Sequence, residues 1–84
     1  MATLYLWNGT ISVAKPANGK KFTLKELQNL VGGYIEQVPA NLGHRKLFVN
    51  EEGMLKQLPF NYAASMVAGM GLVGNAVLCE RGEF

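Results

Sequence analysis

Aspartate is missing altogether from the 84 residues, and cysteine occurs once, as Cys79. The first absence removes the commonest magnesium ligand and one of the commonest catalytic acids. The second excludes an internal disulfide, and no Cys/His cluster is present in the sequence to hold a structural metal. Charge is also scarce. Only 17% of residues are charged while 49% are hydrophobic, so a disordered tail or charged linker is the wrong description and a packed core is expected. The net charge of +2 comes from scattered basic residues, paired only at Lys20-Lys21 and Arg45-Lys46, and does not amount to a nucleic-acid footprint. Long apolar runs are lacking too. The beginning of the chain does not read as a signal peptide, and the weakly polar stretch 62–79 is broken by Gly69, Gly71 and Gly74, so no membrane span is expected.

The length makes one α+β domain over residues 1–84, at the size where a single core supplies little net stability. With disulfides and structural metals set aside, self-association or a well-paired sheet is left to supply the rest, and a homo-oligomer is expected.

Local patterns place the elements. Thr3–Trp7 and Thr10–Ala14 alternate about Asn8-Gly9, which predicts a hairpin closed by a type I′ turn. Thr23-Leu24-Lys25-Glu26 spells a capping box, with Phe22 and Leu27 placed as a hydrophobic staple. Leu24, Leu27, Leu30 and Val31 share the apolar face of a helix of two to three turns that Gly32-Gly33 stops. Strands are predicted over 34–38 and 46–50. Asn50-Glu51-Glu52-Gly53 reads as a turn that folds residues 54–57 back as a hairpin arm. Asn61 caps a second short helix through Ala68, residues 73–80 form the closing strand, and residues 81–84 fray. The expected fold is therefore a small, mostly antiparallel sheet with an N-terminal hairpin and both helices packed on one face.

With these elements placed, four segments in order carry a resemblance: LKELQNLVGGYIE at 24–36, NEEG at 50–53, LPFNYAA at 58–64 and VGNAVL at 73–78. Together they resemble a small domain of unknown function common in bacteriophages, prophages and other mobile elements. The resemblance implies a phage or mobile-element origin and action in the host bacterial cytoplasm, and it carries no activity. The Trp7-Asn8-Gly9 tip and the glycine-rich 66–72 segment depart from the pattern.

The candidate ligand-binding residues are Gly32, Gly33, Tyr34, Glu36, Asn50, Glu51, Asn61 and Asn75. Two glycines after a helix either stop it or let a ligand or another chain approach closely. Glu36 faces solvent or a pocket rim, where a carboxylate would take a ribose hydroxyl or an amine. Turn chemistry accounts for Asn50 and Gly53 and leaves Glu51 and Glu52 without a structural job. Adding Glu36 to those two makes a conceivable metal set, but it supplies too few oxygens for calcium or magnesium. Asn61 is either a cap or, beside Lys56, part of an anion site. His44 has no nucleophile or carboxylate at a telling spacing, and Cys79 in an apolar strand reads as a buried thiol. Met54, Met66 and Met70, with Phe60 and Val67, are expected to fill the core, and the alternative is a pliable interface.

No catalytic residue, metal or cofactor is assigned. The function expected is a non-catalytic, anti-defence type of accessory protein that binds a host protein or sequesters a nucleotide-like signalling molecule. The alternative is a nucleic-acid accessory protein using Lys15, Lys20, Lys21 and Lys25 with Trp7 or Phe22. An enzyme would require Glu36, Glu51 or His44 to converge in a cleft.

Overall fold

A computed structural model describes residues 1–84. Five strands form one antiparallel sheet: β1 (Ala2–Tyr5), β2 (Ile11–Ala14), β3 (Ile35–Gln37), β4 (Lys46–Asn50) and β5 (Ala76–Cys79). Helix α1 (Leu24–Val31) lies between β2 and β3, and α2 (Tyr62–Ala68) lies between β4 and β5. The spatial order β2-β1-β5-β4-β3 inserts the last strand between the N-terminal hairpin and the β3–β4 pair. The chain thus closes on itself through β5, whose four residues are all buried.

Strand alternation decides what each helix covers. Phe48 pairs with Val77 and Lys46 with Cys79, so these side chains share one face; Leu47 with Leu78 and Val49 with Ala76 occupy the other. Phe22, Leu27 and Val31 pack on the first face with Ala2, Phe48, Val77 and Cys79. Ala64 packs on the second with Val38, Leu47, Val49, Ala76 and Leu78, flanked by half-buried Val67 and Ala68. The α+β class and the antiparallel sheet stand, but the helices cover opposite faces rather than one. The runs Leu47-Phe48-Val49 and Ala76-Val77-Leu78 would have indicated this, because a strand apolar at every position is buried on both sides.

Helix α1 begins as its sequence demands. Thr23 Oγ1 accepts from the Glu26 amide at 3.1 Å, and Glu26 Oε1 accepts from the Thr23 amide at 2.8 Å. Phe22 and Leu27 are both buried, completing the staple. Gly32, at φ 80°, ends the helix. Leu24 departs from the expected apolar face and is 59% exposed. At the first helical position its side chain leans toward the N-terminus, away from the strands that Leu27 and Val31 reach.

Three further expectations need correction. The N-terminal hairpin is present, but only Gly9 takes positive φ, with its amide donating to the Leu6 carbonyl at 3.0 Å and the Leu6 amide to the Thr10 carbonyl at 2.9 Å. This is a three-residue loop with a glycine bulge instead of a type I′ turn, and Asn8 uses its side chain, not its backbone, to hold the Thr10 amide. Residues 54–57 form no hairpin arm. The Gln57 amide donates to Met54 O and the Leu58 amide to Gly53 O, with Gln57 at φ 53°, so the segment is one helical turn closed as a Schellman motif. The last residues do not fray. The Phe22 amide donates to the Glu83 carbonyl at 2.8 Å, Glu83 Oε1 accepts from the Glu80 amide, and Phe84 meets Phe48 edge-on at 6.4 Å beneath Lys46.

Candidate functional site

The eight candidate residues do not form one site. Gly32, Gly33 and Tyr34 line a polar groove of about 320 Å³ between the end of α1 and the 52–56 turn, together with Gln28, Asn29, Glu52 and Lys56. Glu36, Asn50 and Glu51 line a second groove of about 220 Å³ on the far side of that turn, with Met54, Met70 and Leu72. Asn61 and Asn75 line neither.

Most of the candidate asparagines have structural partners that occupy their polar atoms. Asn61 Nδ2 donates to the Tyr5 carbonyl at 2.9 Å and the Gly74 carbonyl at 2.8 Å, while Oδ1 accepts from the Ala64 amide at 3.1 Å. With 1% exposure, it clamps β1, the approach to β5 and the start of α2 together. The anion site considered for Asn61 and Lys56 is not assembled, because Lys56 lines the polar groove 3.8 Å from Glu52. Asn75 Oδ1 accepts from the Trp7 amide at 3.1 Å and so fixes the hairpin tip. Asn50 Nδ2 donates to Val31 O at 3.3 Å and Oδ1 accepts from the Glu52 amide at 2.8 Å.

Asn50 also explains the second glycine of the Val-Gly-Gly run. A Cβ on Gly33 would stand 2.8 Å from Asn50 Nδ2, so the close approach that glycine permits is made by the chain's own asparagine. Gly32 supplies the left-handed turn and Gly33 the space.

The carboxylates divide as well. Glu36 and Glu51 rim the second groove, whereas Glu52 lies in the first, so the three considered together as metal ligands do not converge. Glu26 accepts from the Thr23 and Ala17 amides, and these bonds, Thr23 first, hold its carboxyl below the usual carboxylate range. Cys79 is fully buried, and desolvation, reinforced by Glu83 and Glu80, pushes its thiol up to about 12. His44 Nε2 sits 3.6 Å from Glu80 at the surface, outside the groove that Glu36 and Glu51 line.

The methionines lie outside the core. Met54 is 80% and Met66 72% exposed, and Met70 and Phe60 are exposed as well. They make a connected apolar tract. Met54 and Met70 share the second groove, Gly71 next to Met70 lies against Phe60, and Phe60 meets Tyr62 edge-on with ring centroids 6.0 Å apart. Met66 follows Tyr62 by four residues on α2, and Leu55, 83% exposed, adjoins Met54. The tract arises because α2 has only seven residues and turns its small side chains inward at Ala64, leaving the large ones outside. The sequence pattern is open to either a core or an interface for these residues, and the available signal is that α2 carries four small residues, Ala63, Ala64, Ser65 and Ala68, for packing inward while Tyr62 and Met66 lie four apart. Phe22, offered as a stacking aromatic, is buried, whereas Trp7 is 51% exposed at the hairpin tip.

A family model described as Domain of unknown function (DUF3846) matches residues 8–84. No curated protein and no solved structure matches.

Proposed function

We propose that this chain, which belongs to the DUF3846 family, a domain of unknown function, is a non-catalytic binding protein that engages a protein partner through the apolar tract around α2. In this reading it is an accessory factor of a phage or mobile element, acts in the host cytoplasm as a homo-oligomer, and binds a host protein. The phage origin rests on the four ordered segments at 24–36, 50–53, 58–64 and 73–78.

The connected exposure of Met54, Leu55, Phe60, Tyr62, Met66 and Met70 carries the proposal. Contiguous apolar surface rimmed by polar groups marks interaction sites, and methionine and aromatic side chains are enriched where partners meet. Glu36 and Glu51 at the groove edge favour a partner that brings basic side chains alongside apolar ones. The single thiol, Cys79, is buried and raised to about 12, chiefly by desolvation, and His44 lies at the surface beside Glu80. Phe60→Glu and Met66→Glu test the proposal. Each is expected to abolish retention of a host protein that wild type retains, while the circular dichroism spectrum stays unchanged. Undiminished retention by both variants would refute it.

The polar groove beside Gly32, Gly33 and Tyr34 supports the second reading, capture of a nucleotide-like signalling molecule, because its volume of about 320 Å³ falls at the lower end of small-molecule sites. A thermal shift with nucleotides that disappears in Tyr34→Ala and Lys56→Ala would place this reading first. Exposed Trp7 with Lys15 and the exposed Lys20 and Lys21 leaves nucleic-acid binding as a further alternative, recognised by retention that falls steeply with salt.

A further inference from the structure

The two edges of the sheet are built differently. Edge strand β3 has three residues, carries Glu36 and is followed closely by Pro39, all features that discourage pairing with another chain. Edge strand β2 has four residues, Ile11-Ser12-Val13-Ala14, with no charge, and leaves Ile11 57% and Val13 62% exposed. Its neighbour on the other side is β1, paired Tyr5 with Ile11, Leu4 with Ser12 and Thr3 with Val13.

The direction of each backbone group follows from the register. The Leu6 amide donates to the Thr10 carbonyl, so Ser12 and Ala14 turn their amides and carbonyls toward β1, while the Thr10 amide is held by Asn8 Oδ1. Those of Ile11 and Val13 point outward. No turn, loop or side-chain hydrogen bond engages them. Four backbone groups therefore stand open along a short uncharged strand.

That edge is complementary to itself. When two copies of β2 run antiparallel about a twofold axis at Ser12, Ile11 of one copy faces Val13 of the other, and each of the four open groups finds a partner. Two β-branched side chains meet across each side of the axis, on the face that already carries Tyr5 and Thr3. Only this register pairs Thr10–Ala14 in full and sets Lys15 opposite Gly9, which has no side chain to oppose it. Gly9 in its left-handed turn at one end and Pro16 at the other stop the pairing from sliding.

We infer that β2 pairs antiparallel with β2 of a second copy about Ser12, joining two five-stranded sheets into one ten-stranded sheet. The inference deepens the homo-oligomer part of the proposed function and rests on it. Each subunit then presents its own α2 tract, doubling the binding surface.

Sedimentation equilibrium of wild type, Ser12→Lys, Ser12→Glu and Met66→Glu tests the pairing. Ser12 is exposed, so its substitution leaves the core untouched. Wild type is expected at about twice the 9.2 kDa of the chain. Ser12→Lys and Ser12→Glu, each placing like charges face to face on the axis, should weaken self-association by up to about fivefold, and mixing the two should restore a dimer. Met66→Glu should dimerise like wild type. If Ser12→Lys associates as tightly as wild type while Met66→Glu dissociates, the β2 pairing is overturned and oligomerisation through α2 survives. A wild type that stays monomeric throughout overturns both.

Discussion

Asn61 shows how much a single buried polar side chain contributes in a domain this small. It joins the Tyr5 carbonyl, the Gly74 carbonyl and the Ala64 amide, groups that belong to three separate parts of the chain. Asn61→Ala leaves all three without that partner, and a loss of about 2–3 kcal/mol is expected, read as a fall in the denaturation midpoint with an unchanged urea m-value. A loss of only about 1 kcal/mol would mean that Asn61 acts as a helix cap alone. Cys79 makes a pH-dependent contribution with a definite sign. Its folded thiol is raised to about 12, above the ordinary thiol value of roughly 8.5, so its contribution is complete below the latter. That contribution is lost as pH rises toward the folded value. Cys79→Ala should therefore show a shallower fall in stability between those limits than wild type, measured by urea titration at each pH.

At the scale of elements, the capped helix was legible from sequence because its signals are local. Thr23, Glu26, Phe22 and Leu27 act within a few residues of one another, and Gly32 needs only its own backbone. The hairpin arm expected at 54–57 failed for a related reason. Asn50 and Gly53 do form the expected turn, with the Gly53 amide on the Asn50 carbonyl at 3.1 Å, but nothing local specifies whether the chain then extends or coils. Coiling wins, and it places Gln57 in a left-handed conformation at the closing position of a Schellman motif. Gln57→Gly is predicted to raise stability by about 0.5–1 kcal/mol by relieving that strain, against the usual destabilising effect of adding glycine. A decrease in melting temperature would show that Gln57 is not strained. The two leucines of α1 give a second check. Leu27→Ala should cost about 2–5 kcal/mol and Leu24→Ala under about 1 kcal/mol, because one is buried against Phe48 and Val77 and the other lies in solvent.

For the molecule as a whole, class and strand pairing follow from pattern, while the division of helices between faces depends on long-range order. Placing β5 between β1 and β4 makes Ala76–Cys79 a central strand, and its unbroken apolar run then needs cover on both sides. Helix α1 supplies one cover and α2 the other. The same division shapes the exposed surface around α2. Once α2 spends its small residues on packing, its aromatic and methionine side chains have nowhere inside to go. What sequence reading took for core material is surface, and the asparagines it offered as ligand groups hold the fold together. A resonance assignment of the methionine methyl groups places probes on this surface that respond to any protein docking there, whatever its identity. In a host-cell extract, the methyl signals of Met54, Met66 and Met70 should broaden or shift while that of exposed Met1, which lies outside the tract, stays unchanged. If all four signals remain as they are in buffer, or only Met1 responds, the tract around α2 is not the binding surface.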